Sequence, residues 1–212
     1  PVSGSLTFIE GDVSGPGTPS GMEAPRIVIS PDGAHIYVSN HQGAFLSWFT
    51  RDAVTGEVTY AGNVPTTMDE PPWLLISPDG AFVYVVDEYL GNPFQKKSTN
   101  VHTYTRDAVT GSLSLSSVAT FPNLVVAATM SPGGEHVYFG TRASFTSDQP
   151  RADRLLLHDR DPVTGAISPE PIHEERGDKS GVVFGFPTHL SASADGTHLR
   201  PASPNHPAPP NG

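Results

Sequence analysis

The sequence predicts an all-β protein of the β-propeller class, built from four-stranded antiparallel blades. Three observations carry that expectation. Gly (21) and Pro (22) make up about a fifth of the 212 residues, against roughly 12% in average proteins. This excess excludes helical bundles, because Gly and Pro inside a helix cost about 1 and 3 kcal/mol each. The turn string Ser-Pro-Asp-Gly stands at Ser30–Gly33 and Ser77–Gly80, with Ser-Pro-Gly-Gly at Ser131–Gly134 and Ser-Ala-Asp-Gly at Ser193–Gly196. A second string, Arg-Asp-x-Val-Thr-Gly, interleaves with the first at Arg51–Gly56, Arg106–Gly111 and Arg160–Gly165. Two unrelated motifs that alternate in phase at about 50-residue intervals describe one repeated unit the size of a propeller blade.

Each unit reads as four strands. An apolar run precedes the first turn, as in Arg26-Ile27-Val28-Ile29 and Trp73-Leu74-Leu75-Ile76, and predicts a buried inner strand. Pro-Asp-Gly then turns the chain, with Pro setting φ and Gly accepting a positive φ. A second strand follows, as in His35-Ile36-Tyr37-Val38 and Phe82-Val83-Tyr84-Val85, and a third alternates before the Arg-Asp pair, as in Phe45–Phe49 and Val101–Tyr104. The Arg-Asp-x-Val-Thr-Gly segment predicts a wide hairpin with Gly at its bulge. A polar outer strand such as Glu57–Tyr60 completes the unit.

This frame divides the chain into blades of about 24–64, 71–120 and 123–172, and a split blade of 2–10 with 182–200. The N-terminal Val2–Phe8 matches the outer-strand segment Val109–Leu115. The Pro-rich tail, 201–212, has no strand pattern and is expected to be unstructured. The stretch Glu170–Gly181 reads as a charged link, and 142–154 as an insert at the top of the third blade. Three blades and two half-blades leave three arrangements open: part of a six- or seven-bladed ring, a closed four-bladed ring, or a dimer or open arc. Arcs expose edges and so favour self-association.

Composition bounds function. A net charge of −10 gives no electrostatic footprint for nucleic acid or an anionic membrane. The absence of Cys excludes disulfide scaffolds, thiol nucleophiles and Cys-based zinc sites. The longest apolar run, Leu124–Met130, is far short of the roughly 20 residues of a membrane-spanning helix. Pro1 opens the sequence without an initiator Met, so targeting cannot be read from it.

The repeated SPDGAHIYVSN and SPDGAFVYVVDE units, each followed by an RDxVTG hairpin, resemble the YVTN-type propellers, and most of all the lactonase family of seven-bladed propellers. The resemblance covers residues 2 to 200. It implies a sugar-lactone hydrolase of the 6-phosphogluconolactonase type, cytoplasmic, or else a non-catalytic module binding a protein or glycan, periplasmic or secreted. Tyr84–Glu88 is similar to the family's Tyr-Val-Val-Asn-Glu, Tyr138–Arg142 to Tyr-Val-Ser-Asn-Arg, and Pro187–Leu190 to the Pro-Arg-His strand start. Asp87, Thr141 and Thr188 depart from those patterns, and Pro71-Pro72-Trp73 stands where a further Pro-Arg-His is expected.

Opening a lactone needs an activated water, a base and a cation or donor set for the oxyanion. Propellers gather such groups at the channel mouth, where inner strands begin and second strands end. His189, Glu88 and Arg142 form the expected catalytic set, with His189 as base, Glu88 as its partner and Arg142 as an anion anchor. Arg26, Asn40 and His41 form the expected substrate-binding set. The Arg-Asp pairs and the Asp residues of the turns recur in every blade and are expected to hold loops. Trp48 and Trp73 are expected to pack between blades. Asp87, Glu88 and Asn40 are oxygen donors of the kind Ca2+ takes, but no dense ligand loop accompanies them, and neither metal nor cofactor is expected. The expected partner is a small lactone or sugar phosphate.

Overall fold

A computed structural model describes residues 26–39, 45–66, 73–89, 98–142, 154–176 and 189–202, without the side chains of 87–89, 142, 201 and 202. All regular structure among them is β. The first sheet, blade I, takes the order β1 (Arg26–Ile29), β2 (His35–Ser39), β3 (Phe45–Arg51), β4 (Val58–Pro65). Blade II repeats it with β5 (Trp73–Ile76), β6 (Phe82–Tyr89), β7 (Ser98–Arg106) and β8 (Leu113–Phe121). Blade III has β9 (Leu124–Met130), β10 (His136–Arg142), β11 (Arg154–Asp159) and β12 (His173–Arg176). A two-stranded sheet, β13 (His189–Ala192) and β14 (Leu199–Ala202), forms the inner half of blade IV. All pairs are antiparallel.

The two motifs build the corners by local chemistry. In the first turn, Ser30 Oγ accepts from His35 N at 2.9 Å and Asp32 Oδ1 accepts from Ala34 N at 3.0 Å. Ser77 with Asp79 does the same in blade II, and Ser193 with Asp195 in blade IV. In the second loop, Asp52 Oδ1 accepts from Val54 N and Thr55 N at 2.8 and 2.7 Å. Asp107 and Asp161 repeat the arrangement. These carboxylates satisfy backbone donors that no ladder reaches.

The Arg of each pair also holds a loop, through Nη1 on the turn glycine carbonyl of its own blade, and Arg106 and Arg160 add a second role that the sequence did not suggest. Arg106, at the end of β7, donates through Nη1 to Gly80 O in its own blade at 3.1 Å. Its other nitrogens cross to blade I, with Nε on Tyr37 Oη at 2.9 Å and Nη2 on Asp32 Oδ2 at 2.6 Å. Tyr37 Oη in turn donates to Gly111 O at 2.9 Å. Arg160 repeats the latch one blade on, to Tyr84 Oη (2.6 Å), Gly134 O (3.1 Å) and Asp79 Oδ2 (2.9 Å), with Tyr84 donating to Gly165 O. Adjacent residues at a strand end point opposite ways, so Asp serves its own loop while Arg reaches the preceding blade.

Apolar faces fill the spaces between sheets. Tyr37, Leu46 and Trp48 of blade I pack with Leu74, Val83, Val85, Tyr104 and Leu113 of blade II. Tyr84, Val86 and Phe121 pack with Val125, Val137 and Phe139 of blade III and Leu190 of blade IV. Trp48 and Trp73 both lie in these layers.

Three sequence expectations are adjusted. β1 is not buried: Ile27 and Ile29 are 60% and 53% exposed, because no described blade covers the face that Leu74 and Ile76 turn toward blade I. The fourth strand of blade III is not the segment directly after the Val-Thr-Gly loop. There Arg160 and Ile167 form an isolated bridge and Ser168 N and Ile172 N donate to Asp159 O and Leu157 O, but the continuous strand β12 forms from His173–Arg176, inside the stretch read as a link. Pro169 and Pro171 cannot donate to a ladder and delay the pairing. β14 also takes in Pro201 and Ala202, the first residues of the expected tail, because Ala202 pairs with His189. The N-terminal half-blade, 2–10, and residues 203–212 lie outside the described residues.

The latch sets a demand on glycine. Gly165 has φ +72°, and a Cβ there would lie 2.4 Å from Phe82 Cδ1 of the preceding blade. Gly165→Ala combines a left-handed backbone with an overlap against a buried ring. It is expected to lower the unfolding free energy by about 3 kcal/mol, read as a fall in the urea midpoint at constant m-value.

Candidate functional site

The inner strands run side by side, β1 beside β5, β5 beside β9 and β9 beside β13. Together they line an open cavity of about 780 Å³. Four places before their turn serines stand Arg26, Trp73, Ala127 and His189, of which Arg26, Trp73 and His189 line the cavity. Those three strand starts set the chemistry.

Trp73 sits at the centre and is 9% exposed. The Arg26 guanidinium carbon lies 4.9 Å from its ring centroid, within cation–π range. The His189 ring lies 5.6 Å away and is tilted by 53°. The equivalent residue of the blade between, Ala127, is fully buried in the core cluster that also holds Trp73. Two blades' worth of separation is thus bridged by one indole, with an exposed cation and an exposed imidazole at its edges.

Of the expected site residues, Arg26 and His189 are therefore brought together. The backbone of Glu88 pairs with Thr99, two places beyond the Trp73–Val86 pair, and that of Arg142 pairs with Leu124. Both main chains thus reach the same end of the sheets, and their side chains lie outside the description. Asn40 and His41 lie outside the described residues. Thr141 is 1% exposed and donates to Arg154 O at 3.4 Å, so it faces its own sheet. Among the described residues no group of three or more His, Asp or Glu could hold a metal.

Trp73 is a further candidate, one that its sequence pattern marks only as a packing residue. It packs in the core cluster and also contacts both Arg26 and His189. The signal available was its place: Pro71-Pro72-Trp73 occupies the strand start where the resemblance expects Pro-Arg-His.

Comparison with known proteins agrees with this architecture. A family model described as a lactonase, seven-bladed β-propeller, matches residues 4–127, more than half of the chain. No curated protein matches the sequence. A candidate 6-phosphogluconolactonase of Bacteroides uniformis ATCC 8492 superposes with a TM-score of 0.61 at 20% identity, over 86% of this chain and 50% of that one. A second, from Bacteroides fragilis NCTC 9343, gives 0.57 at 17% identity, over 73% and 40%. The periplasmic gluconolactonase of Pseudomonas aeruginosa gives 0.57 at 21% identity, over 74% and 40%. At these identities the likeness is one of fold, and the chain spans half or less of the length of these structures.

Proposed function

From the premise that the chain belongs to the lactonase family of seven-bladed β-propellers, we propose that it hydrolyses a sugar lactone of the 6-phosphogluconolactone type at the mouth of its inner-strand cavity. The observation that carries the reading is the meeting of Arg26 and His189 around Trp73 at one open cavity. In this reading His189 takes a proton from water as the water oxygen bonds to the lactone carbonyl carbon. Arg26 donates to the oxyanion that forms, or to the substrate's anionic group, against the chain's net negative field. Collapse of the intermediate breaks the ring C–O bond. The imidazolium returns its proton to the leaving ring oxygen, giving the open hydroxy acid. Glu88 and Arg142 complete the proposed set as orienting carboxylate and second anion anchor.

The purified protein is expected to open δ-gluconolactone or its 6-phosphate faster than buffer does. His189→Ala should lower kcat by on the order of 10²-fold or more without moving the unfolding transition, because the ring is exposed. Arg26→Ala should act mainly on KM. Lactone opening no faster than in buffer would sink the proposal. It would favour the second reading, a non-catalytic sugar- or protein-binding module, which draws on Trp73 filling the place of a His.

A further inference from the structure

Trp73 carries a polar atom that the fold leaves unserved. Its side chain belongs to the core cluster of blades II to IV and is 9% exposed. An indole N–H so deeply placed ordinarily has an acceptor. Among the described residues Trp73 Nε1 has none. The Arg26 guanidinium and the His189 ring both meet the indole rings, and no hydrogen bond from Nε1 accompanies them. Nor is this nitrogen sealed in. Sealed side-chain atoms without a partner do occur, as at His102 Nε2 and His158 Nε2, and Trp73 Nε1 is not one of them. Trp73 lines the open cavity of the inner strands, so a bare donor stands in its wall.

The surroundings select what that donor meets. None of the described residues lining the cavity is Asp or Glu, although the chain carries 22 of them. Arg26 and His189 stand exposed in the same wall. A carboxylate in the lining would give the indole an acceptor from the protein, whereas a lining of donors leaves the acceptor to the ligand. The guanidinium carbon of Arg26 lies 4.9 Å from the ring centroid of the same indole. One anionic group can therefore accept from the guanidinium with one oxygen and from Nε1 with another. A lactone has its own carboxyl tied up in the ring ester, so the anion on such a substrate is a second group, as in a phosphate ester.

We propose that Trp73 is a substrate-binding residue whose Nε1–H donates, beside Arg26, to the phosphate of the ligand, and that it selects a phosphorylated sugar lactone over the neutral one. The proposal rests on the hydrolytic reading for the lactone and on the cavity alone for the anion. Packing and the cation–π contact are services that a phenylalanine also supplies. The N–H is what tryptophan adds. The tasks are then divided, with His189 acting on water and Trp73 and Arg26 holding the anion. An interaction of that kind is made equally in ground and transition states, so its loss raises KM and leaves kcat in place.

The chain has two Trp, so its nitrogen-15 NMR spectrum holds two indole N–H signals. That of Trp73 is assigned by its contact with the His189 ring. Inorganic phosphate should move it downfield and leave the signal of Trp48, which does not line the cavity. The hydrolysis product 6-phosphogluconate should do the same, and glucose should move neither. These shifts are read on the wild-type chain and do not depend on a variant that folds. Trp73→Phe should then weaken 6-phosphogluconate binding by about tenfold or more. It should raise KM for the phosphorylated lactone by a similar factor, with kcat and the KM for δ-gluconolactone unchanged. A phosphate-dependent shift in a chain that opens no lactone would keep Trp73 as an anion donor and retire the hydrolytic reading. Lactone opening with a Trp73 signal that neither phosphate nor 6-phosphogluconate moves would overturn the proposal and leave hydrolysis standing. A Trp73→Phe chain that binds 6-phosphogluconate as tightly as the wild type would overturn it as well.

Discussion

Arg160→Ala is expected to remove about 3–5 kcal/mol of unfolding free energy, the largest loss of any single substitution considered. The Arg160 side chain is 1% exposed and its guanidinium carbon lies 5.2 Å from the Phe82 ring centroid. Three of its nitrogens serve three partners on two blades. Truncation leaves Gly134 O and Asp79 Oδ2 without their donor and takes from Tyr84 Oη the cation it accepts from. The cost lies in Gly134 O and Tyr84 Oη, which stay buried without the donor they had, while Asp79, 44% exposed, turns to water. Arg160→Lys keeps the charge but not the planar fork, and should lose about half as much. The control is Arg176→Ala, which removes a bond to Glu174 from a side chain that is 49% exposed and should cost under about 0.5 kcal/mol. Urea unfolding at fixed protein concentration reads all three. An Arg160 variant no less stable than the Arg176 variant would mean that the latch holds nothing together.

The same latch shows where sequence reading stops. The blade repeat was legible because its turn chemistry is local: Ser30, Asp32 and Gly33 act within six residues, as do Asp52, Val54 and Thr55. The latch was not legible, because Arg106 and Arg160 find their partners in another repeat, and a pattern of adjacent Arg and Asp suggests one joint task. The outer strand β12 escaped because Pro169 and Pro171 break the expected ladder and move it along the chain. At the candidate site, Arg26 and His189 could be named from their strand-start positions alone. That Trp73 joins them is a relation between three blades that no spacing in the sequence reports.

Acid should weaken the fold in two steps, and the first belongs to buried imidazoles. His158 is 1% exposed. Its Nδ1 donates to Ser168 O at 2.8 Å, which leaves the Nε2 lone pair among the rings of Phe121 and Phe139, at 5.1 and 5.3 Å between centroids, with no partner. Burial pushes His158 and His102 below the ordinary value of 6.5. His35 is lowered by burial and then by the Arg106 guanidinium, whose Nη2 lies 2.7 Å from its Nδ1. A proton there would meet a cation and break the latch between blades I and II. Below pH 6.5 the unfolded chain therefore binds protons that the folded chain refuses, and stability falls with falling pH, by at most about 1.4 kcal/mol per pH unit for each group. Above pH 6.5 both states hold these groups neutral and the slope vanishes. The second step begins below 3.8. The Ser30 hydroxyl, with Ala34 N and Arg106, holds Asp32 well below that value. The Asp79 carboxyl is held down by Ser77, Ala81 and Arg160 against the burial that raises it. Protonating these carboxylates dissolves both latches. His158→Phe separates the two steps: it should cost about 1 kcal/mol at pH 7 through the lost bond to Ser168 and reduce the slope between pH 6.5 and 4.5. The loss below pH 3.8 should remain unchanged. Chemical unfolding across this range decides it, and a His158→Phe chain with the wild-type slope would remove the buried imidazole from the account.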